Sequence, residues 1–201
     1  MGTRDVILDA AAEVMAEQGL ANVTTRQIAK AAGLTEAALY KHFASKADLM
    51  VAVMRERSPG FSPLAEALRG GSDLVGGLTA VARAAIDLYR AGFPMFASVF
   101  ADPATLAAHK EELRQEGAGP HKANEALAAY LRAEQEAGRV RAGADVRAAA
   151  GLLLGACFQY AFLGHMSLAG FADDEEAAAS FVRTLLETLT PTPPPCHEPS
   201  A

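Results

Sequence analysis

Residues 34–46, LTEAALYKHFASK, concentrate polar side chains that are suited to contacting another molecule. Tyr40, Lys41 and His42 follow one another directly, and Lys46 comes four residues after His42. Their hydroxyl, imidazole and ammonium groups all donate hydrogen bonds, which phosphate oxygens accept. Each residue alone is typical of an ordinary solvated surface, whereas the group together predicts a surface that contacts a polyanion.

The chain is acidic overall but locally positive around this stretch. The sequence holds 18 Lys and Arg residues against 24 Asp and Glu residues, which gives a net charge of −6. From Arg26 to Lys46, however, four cations stand against Glu36 as the only acidic residue, so this segment carries three net positive charges. A positive patch of this kind attracts a polyanion even though the whole protein is acidic.

The elements around the stretch are two short helices joined by a turn that contains glycine. Thr24, with a glutamine three residues later, forms the capping-box pattern that opens a helix over 25–31. Gly33 ends that helix, and Thr35 caps a second one over 35–42. In the helix-turn-helix of DNA-binding proteins the second helix enters the major groove and the first crosses the backbone. The segment is therefore predicted to contact DNA.

Two apolar residues are predicted to anchor the second helix. Leu39 and Phe43 are four positions apart, so they lie on one face of the helix. The flanking segments 3–18 and 45–57 are predicted to be helices that supply the core for this face. With the apolar face packed in this way, the polar residues between Leu39 and Phe43 remain at the surface.

The composition and patterning of the whole chain predict an all-α protein. Ala, Leu and Glu recur, and no segment shows the alternation of a strand bounded by turn residues. We expect an N-terminal helix-turn-helix DNA-binding domain over 1–57, a larger helical effector-binding and dimerisation domain over 58–190, and a disordered, proline-rich tail over 191–201. Helices beyond residue 57 are expected at 63–69, 73–91, 94–101, 104–115, 120–137, 145–168 and 174–189.

The sequence TTRQIAKAAGLTEAALYKHFASKADLMVAV, residues 24–53, resembles the DNA-binding region of the TetR family of bacterial transcriptional regulators. The IAKAAGL turn, the LYKHF helix end and the lysine three residues later carry the resemblance. It implies a homodimer that reads a palindromic operator in double-stranded DNA, and we expect a repressor that a small-molecule effector releases. Cys157 and Cys196 are far apart and show no disulfide or metal-ligand spacing, so a reducing cytoplasm, with association to the nucleoid, is the expected location. Beyond the DNA-binding region, only the helix order and the segment AEQEAGRVRAGADVRAAAGLLLGA resemble the variable second domain of the family.

Carried over position by position, the resemblance also assigns the contacts to DNA. A first group is expected on phosphates, a second group is expected to face the major groove, and an arginine is expected near a base edge or a phosphate. The phosphate group is Thr25, Tyr40, His42 and Lys46; the groove group is Glu36, Ala37, Ala38 and Lys41; the arginine is Arg26, and Thr35 completes the interface.

Base-specific bonding by this recognition helix is predicted to be sparse. Ala37 and Ala38 stand where many relatives have other residues, and alanine contacts only a thymine methyl group. Glu36 is able to accept a hydrogen bond from cytosine N4. The operator therefore cannot be read from the sequence, and the shape of the DNA is expected to carry part of the specificity.

The resemblance implies that the last two helices of each subunit join the dimer as a four-helix bundle. The sequence supports this, because the apolar stripe of 174–189 and the Gly- and Ala-rich helix 145–168 carry more apolar surface than one thin layer buries. The alternative is that both helices are simply monomer core. The residues expected at the interface are Gly151, Gly155, Phe181, Val182, Leu185 and Leu189.

Aromatic and polar residues beyond residue 57 are compatible with a pocket for a mostly apolar effector. Apolar walls with a few polar groups are typical of ligand sites, although the same residues suit a helical core. His109, Gln159 and His165 are the expected polar contacts, because a buried polar group needs a partner. The full candidate set is Tyr89, Phe93, Phe96, Phe100, His109, Tyr130, Phe158, Gln159, Phe162 and His165.

Enzymatic activity, a metal site and a cofactor are not expected. Cys157 and His165 would lie about 12 Å apart along a helix, which is too far for a nucleophile and its base. The acidic run 173–176 is better explained by the preference for acidic residues at a helix N-terminus than by metal binding. A third hypothesis is a DNA-binding protein whose second domain docks a protein partner and takes no small molecule; ligand-dependent loss of operator affinity separates it from the leading one.

Segment 148–164 is apolar enough to be compared with a membrane span. It just reaches the lower limit of about 17 residues, but it is rich in Ala and Gly and is followed by His165. We therefore expect a packed helix here and no membrane partner.

Overall fold

The computed structural model describes residues 2–18, 23–57, 62–70, 73–168 and 170–190, and within these ranges every regular element is an α-helix. The predicted all-α class is confirmed. The helices are α1 Thr3–Gln18, α2 Thr25–Ala31, α3 Glu36–Leu39, α4 Lys46–Arg57, α5 Ser62–Gly70, α6 Leu74–Ala101, α7 Pro103–Glu116, α8 His121–Glu136, α9 Val146–His165 and α10 Asp174–Leu189.

The chain forms two compact units that do not follow one another along the sequence. The first unit comprises Met1–Ser62 and Leu88–Pro120, and the second comprises Pro63–Asp87 and His121–Ala201. The helix-turn-helix therefore shares a unit with the end of α6 and with α7. The predicted domain boundary after residue 57 stays a prediction, and the predicted proline-rich tail lies outside the described residues.

The core of the first unit is built from α1 to α4. Ile7, Ile28, Leu39 and Leu49, one from each of these helices, are completely buried. α7 packs against α4 on the other side, where Val51 and its neighbours meet apolar residues of α6 and α7. α4 thus contacts both the DNA-binding elements and α7.

In the second unit, α9 packs between α8 and α10. Tyr160, Phe171 and Phe181 form a cluster of edge-to-face ring pairs, with centroids 5.4 to 6.1 Å apart. Gln135 donates its side-chain amide to the carbonyls of three residues in the loop after α8, at 2.9 to 3.1 Å. The backbone N–H of Arg141 in this loop bonds to the Leu189 carbonyl at 2.8 Å, which ties the loop to the end of α10.

The prediction of two separate helices over 73–91 and 94–101 was wrong, because α6 runs without a break from Leu74 to Ala101. Pro94 lies inside this helix, where a missing backbone N–H costs roughly 3 kcal/mol. Buried residues on both sides, such as Ile86 and Val99, favour continuation of the helix and offset that cost. The signal that proline usually gives at a helix start was overridden by burial.

α9 is the one helix among the described residues that is long and apolar enough to cross a membrane by length and composition. Core helices pass the same test, and α9 buries Leu153, Leu154 and Cys157 completely or nearly so within the second unit. This burial agrees with the predicted packed helix.

Replacing Gly33 should separate backbone strain from packing in the turn between α2 and α3. Gly33 has φ of +69°, and an added Cβ would meet no atom within 4 Å. Gly33→Ala should therefore lower the free energy of unfolding by about 1–2 kcal/mol, because only the left-handed backbone is penalised. Gly33→Asn should lower the free energy of unfolding by less, since asparagine tolerates the left-handed conformation better than alanine does. Equal losses in a urea unfolding titration would contradict the explanation.

Candidate nucleic-acid interface

The first helix of the motif begins with the capping box that the sequence predicts. The Thr24 hydroxyl accepts from the Gln27 backbone N–H at 3.2 Å, and the Gln27 side chain accepts from the Thr24 backbone N–H at 2.8 Å. Both N–H groups lie at the helix start, where no carbonyl of the helix accepts from them. The capping box gives each of them a side-chain acceptor. The predicted range 25–31 for this helix is confirmed.

The recognition helix is shorter than predicted. Thr35 caps it by accepting from the Ala38 N–H at 3.2 Å, but regular helix extends only over Glu36–Leu39. Lys41 and His42 then donate to the carbonyls three residues before them, at 3.3 and 3.0 Å. This tightening is common at helix ends. It keeps residues 40–42 in a turn that continues the helix.

The predicted anchors of the recognition helix are buried. Leu39 is completely buried and Phe43 is 5% exposed, and both belong to the core of the first unit. The side chains around them remain accessible, and the Tyr40 ring is 45% exposed. Seven of the ten predicted DNA-contact residues are exposed, namely Arg26, Thr35, Glu36, Ala37, Tyr40, Lys41 and His42. The motif therefore presents one polar face to solvent.

Thr25 differs from the rest of that set, because its side chain is only 8% exposed. Its hydroxyl donates to Glu36 Oε1 at 2.5 Å, and the Tyr40 hydroxyl lies 3.3 Å from the Thr25 hydroxyl oxygen. This leaves the backbone N–H of Thr25, at the first position of α2, for the predicted phosphate contact. Sequence reasoning assigned all three residues to DNA separately and missed that they bond to one another.

Lys46 opens α4, which is capped by Ser45. The Ser45 hydroxyl accepts from the Asp48 N–H at 3.1 Å. A cation at a helix N-terminus is unfavourable toward the helix dipole unless an anion lies nearby. Lys46 is partly exposed, and its charge contributes to lowering the pKa of Asp102, after the larger effect of the Thr105 hydrogen bonds.

An ion-pair network connects α1, α4 and α7 beneath this face. Arg4 binds both carboxylate oxygens of Glu56, at 2.7 and 2.8 Å, and its guanidinium lies 5.3 Å from the centre of the Phe43 ring. Arg55 donates to Glu56 and to Glu112, each at 2.6 Å. The hydrogen bonds from Arg4 and then Arg55 lower the pKa of Glu56 to about 2. Sequence patterns do not predict this network, because its members are up to 57 residues apart.

The residues predicted for a dimer interface divide between surface and core. Gly151 and Gly155 are exposed on α9, beside Leu152, which is 68% exposed. On α10, by contrast, Val182, Leu185 and Leu189 are buried within the chain, and Phe181 is half-buried. An apolar groove of roughly 280 Å³ lies between α9 and α10. Its lining is Leu152, Leu153, Ala156, Phe181, Thr184, Leu185 and Thr188.

The residues predicted for effector binding fall into both compact units. Tyr89, Phe93, Phe96, Phe100 and His109 belong to the first, and Tyr130, Phe158, Gln159, Phe162 and His165 belong to the second. Four of the latter, Phe158, Gln159, Phe162 and His165, are exposed on α9.

His109 is the member of the set with an unusual environment. Its Nδ1 is buried and has no hydrogen-bond partner among the described residues, and Glu112 Oε2 is 4.0 Å away. Burial lowers the pKa of His109, so the neutral imidazole is favoured. A buried nitrogen without a partner is costly, which makes His109 a candidate polar contact for a ligand.

Cys157, considered above as a nucleophile, is completely buried in α9. Burial raises the pKa of the Cys157 thiol to about 12, so a thiolate nucleophile is disfavoured at neutral pH. The acidic run 173–176 forms the cap and first turn of α10, where Asp173 accepts from the Glu176 N–H at 2.8 Å and Glu176 accepts from the Ala172 N–H at 2.7 Å. Among the described residues, no group of three or more His, Cys, Asp or Glu side chains is arranged to bind a metal.

Comparison with known families identifies both parts of the chain. Residues 7–53 match the profile of the "Bacterial regulatory proteins, tetR family", and residues 77–190, more than half of the chain, match "AefR-like transcriptional repressor, C-terminal domain". The chain belongs to the TetR family. Proteins of the TetR family are transcriptional regulators, and the first of the two profiles covers the helix-turn-helix of this chain.

Individual relatives are similar to this chain over different lengths. The HTH-type transcriptional regulator SrpR of Pseudomonas putida is 46% identical over 55 residues, which are 27% of this chain and 26% of SrpR. The chain thus matches only about a quarter of that relative. The fatty acid metabolism regulator protein of Bacillus subtilis is 28% identical over 157 residues, 74% of this chain and 76% of that protein.

Solved structures show the same fold. The transcriptional regulator FadR of Bacillus subtilis in complex with stearoyl-CoA has a TM-score of 0.67 at 21% identity, covering 92% of this chain and 98% of that one. A putative TetR-family regulator from Mesorhizobium loti has a TM-score of 0.72 at 18% identity, covering 94% and 96% of the two chains.

Removing the Glu56 charge should expose the pH dependence of the ion-pair network. Because the pKa of folded Glu56 is lowered to about 2, its stabilisation is present above about pH 4.5 and is lost as the pH falls toward 2. Glu56→Gln should lower the free energy of unfolding by about 1–2 kcal/mol at pH 7, less than the full shift implies because solvent screens the partly exposed pair.

The difference from wild type should shrink between pH 5 and pH 2, measured by urea unfolding at each pH. Glu111→Gln is the matched control, because Glu111 pairs with Arg114 on the surface of α7 alone. A Glu56→Gln difference that is independent of pH would contradict the role assigned to the carboxylate.

Proposed function

We propose that this TetR-family regulator is a homodimeric repressor that binds a palindromic operator in the bacterial cytoplasm and is released by a mostly apolar small molecule. The observation that carries the DNA-binding part is the polar face of the helix-turn-helix over the buried anchors Leu39 and Phe43. In this proposal Tyr40, His42 and Lys46 contact phosphates, with Arg26 beside them. Glu36 and Lys41, with Ala37 and Ala38, face the major groove.

The dimer is proposed to form through α9 and α10. Leu152 is largely exposed beside Gly151 and Gly155, which have no side chains to prevent close approach of a second helix. Phe158 and Phe162 extend this apolar surface along α9, at 44% and 37% exposure. A surface of this kind is typical of a subunit interface. The buried residues of α10 would support it from beneath, with Phe181 at its edge.

The effector is proposed to be a mostly apolar molecule with a polar or charged end. His109 supports this, because its buried Nδ1 needs a partner. Long-chain acyl thioesters are the first class to test, since a regulator of the same fold binds stearoyl-CoA. Release requires that the effector bind the DNA-incompetent state of the dimer more tightly than the competent one.

A second candidate function, docking of a protein partner without a small molecule, has one observation in its favour. Met166 and Leu168, just after α9, are 56% and 62% exposed. Apolar side chains at the end of a helix suit a partner as well as a second subunit.

Lys46→Ala should weaken binding to all DNA sequences alike and reduce the slope of log affinity against log salt by about 1, because one phosphate contact is lost. Lys122→Ala is the matched control: it removes the same charge from the second unit, where Lys122 pairs with Glu125 at 3.0 Å. Fluorescence anisotropy across a salt series measures the affinity and the salt slope of both variants. A changed base preference for Lys46→Ala, or an equal slope change for Lys122→Ala, would contradict the phosphate contact.

Leu152→Glu should convert the dimer to a monomer, because it places a charge at the centre of the proposed interface. Val75→Glu is the matched control, since Val75 is a similarly exposed aliphatic residue, at 55%, on α6. It should leave the dimer intact. Size-exclusion chromatography with light scattering gives both masses. A monomeric wild type, or a Leu152→Glu variant that remains dimeric, counts against this interface.

Stearoyl-CoA should lower the affinity of the repressor for its operator, and His109→Phe should weaken that response without changing affinity in the absence of ligand. The reason is that phenylalanine fills the space of the imidazole but offers no polar contact. Coenzyme A without an acyl chain is the control. If neither stearoyl-CoA nor a wider panel of apolar ligands alters operator affinity, the partner-docking function replaces the inducer.

A further inference from the structure

We infer that Thr25 is a positioning residue for base recognition: its buried hydroxyl fixes the Glu36 carboxylate so that the second carboxylate oxygen faces the groove as an acceptor for a cytosine amino group. The inference rests on the proposed function, because it concerns how the recognition helix reads its operator. It assigns a purpose to a buried polar side chain that neither the helix caps nor the phosphate contacts require.

The three hydrogen-bonding groups have only one consistent arrangement. A carboxylate accepts and does not donate, so the Thr25 hydroxyl must donate its single hydrogen to Glu36 Oε1, 2.5 Å away. In the free protein the Tyr40 hydroxyl, 3.3 Å from the Thr25 oxygen, is then the donor in that pair, and its single hydrogen must turn to the phosphate when DNA binds. The result is a chain of hydrogen bonds from Tyr40 through Thr25 to Glu36.

The donor and the acceptor of the Thr25–Glu36 hydrogen bond have different surroundings. Thr25 is 8% exposed and is fixed at the first position of α2, which Thr24 caps. Glu36 is the first residue of α3 and is exposed. A buried, immobile donor thus bonds to a side chain at the surface. Among the described residues, only Oε1 of Glu36 accepts a hydrogen bond, so Oε2 is available to an incoming base.

Fixing Glu36 matters because an exposed glutamate otherwise samples many rotamers. Ordering such a side chain on binding costs conformational entropy, and a side chain already ordered in the free protein avoids most of that cost. A fixed carboxylate also discriminates, because it accepts from cytosine N4 but is repelled by the acceptor atoms of thymine and guanine. A mobile carboxylate turns away from the wrong base and discriminates less.

The simpler explanation is that Thr25 only ties α2 to α3. The two explanations differ in what is lost when the hydroxyl is removed. A structural tie affects stability and all DNA sequences equally, whereas a positioning role affects the preference at the base pair that Glu36 reads.

The test is a double-mutant cycle on the operator recovered by selection with the wild-type protein. Each base pair of the half-site is replaced symmetrically, and the base pair whose cytosine preference disappears in Glu36→Ala is the one that Glu36 reads. At this base pair, Thr25→Val should reduce the preference for cytosine about fivefold or more. Thr25→Ser should retain the preference, because it keeps the hydroxyl.

Two controls make the result specific. In the Glu36→Ala background, Thr25→Val should change the base preference no further. For Thr25→Val alone, the preference for cytosine should fall by a larger factor than the affinity for a non-operator duplex, because the backbone N–H assigned to the phosphate is retained. Should Thr25→Val lower the melting temperature, Thr25→Ala repeats the test without a branched side chain.

The inference is overturned if Thr25→Val keeps the full cytosine preference, if it weakens all sequences equally, or if Glu36→Ala alters no preference. Failure of the proposed function looks different, because the wild-type protein would then select no operator at all.

Discussion

The burial of Leu39 and Phe43 is the interaction on which the DNA-binding surface depends. α3 has a single turn of regular helix, which is too short to be stable alone. Its orientation is set by these two side chains, which pack into the core formed by α1, α2 and α4. The exposed residues between and around them face outward only because the anchors face inward. A rotation of the anchors by one position would bury Tyr40 and expose the core.

The ion pairs beneath this surface extend the same constraint to α7. Arg4 and Arg55 share the Glu56 carboxylate, and Arg55 also reaches Glu112 on α7. Each ion pair is partly exposed and contributes little to the stability of the fold by itself. The shared Glu56 carboxylate, however, makes the two arginine contacts interdependent. Val51 and Met54 on the apolar side of α4 pack toward α7 as well. A ligand that favoured one arrangement of α7 would therefore act on α4, which carries Lys46 at its first position.

The parts of the fold that the sequence could predict are those with local causes. The capping box at Thr24, the helix end before Gly33 and the four-residue spacing of the anchors each involve residues close in sequence, and all three are confirmed. The break predicted at Pro94 failed because burial along α6 outweighs one missing hydrogen bond.

The side-chain network of the site could not be predicted for a related reason. Thr25 and Glu36 are 11 residues apart and belong to different helices, and Arg4 and Glu56 are 52 apart. Their contacts depend on how the helices pack, which no spacing rule supplies. The effector residues have a further ambiguity, because aromatic side chains are used alike by pockets, cores and interfaces. Only His109, with its buried nitrogen, acquires a distinguishing feature from the structure.

The measurement that tests the central claim most directly is selection of bound sites from random duplex DNA with the full-length wild-type protein, followed by titration of the winning site against salt. We predict enrichment of a palindrome whose half-sites lie about one helical turn or more apart, with affinity that falls as salt rises but stays well above that for unselected DNA. Binding that is sensitive to salt yet enriches no sequence would contradict the account, because the helix-turn-helix would then contact phosphates without reading an operator.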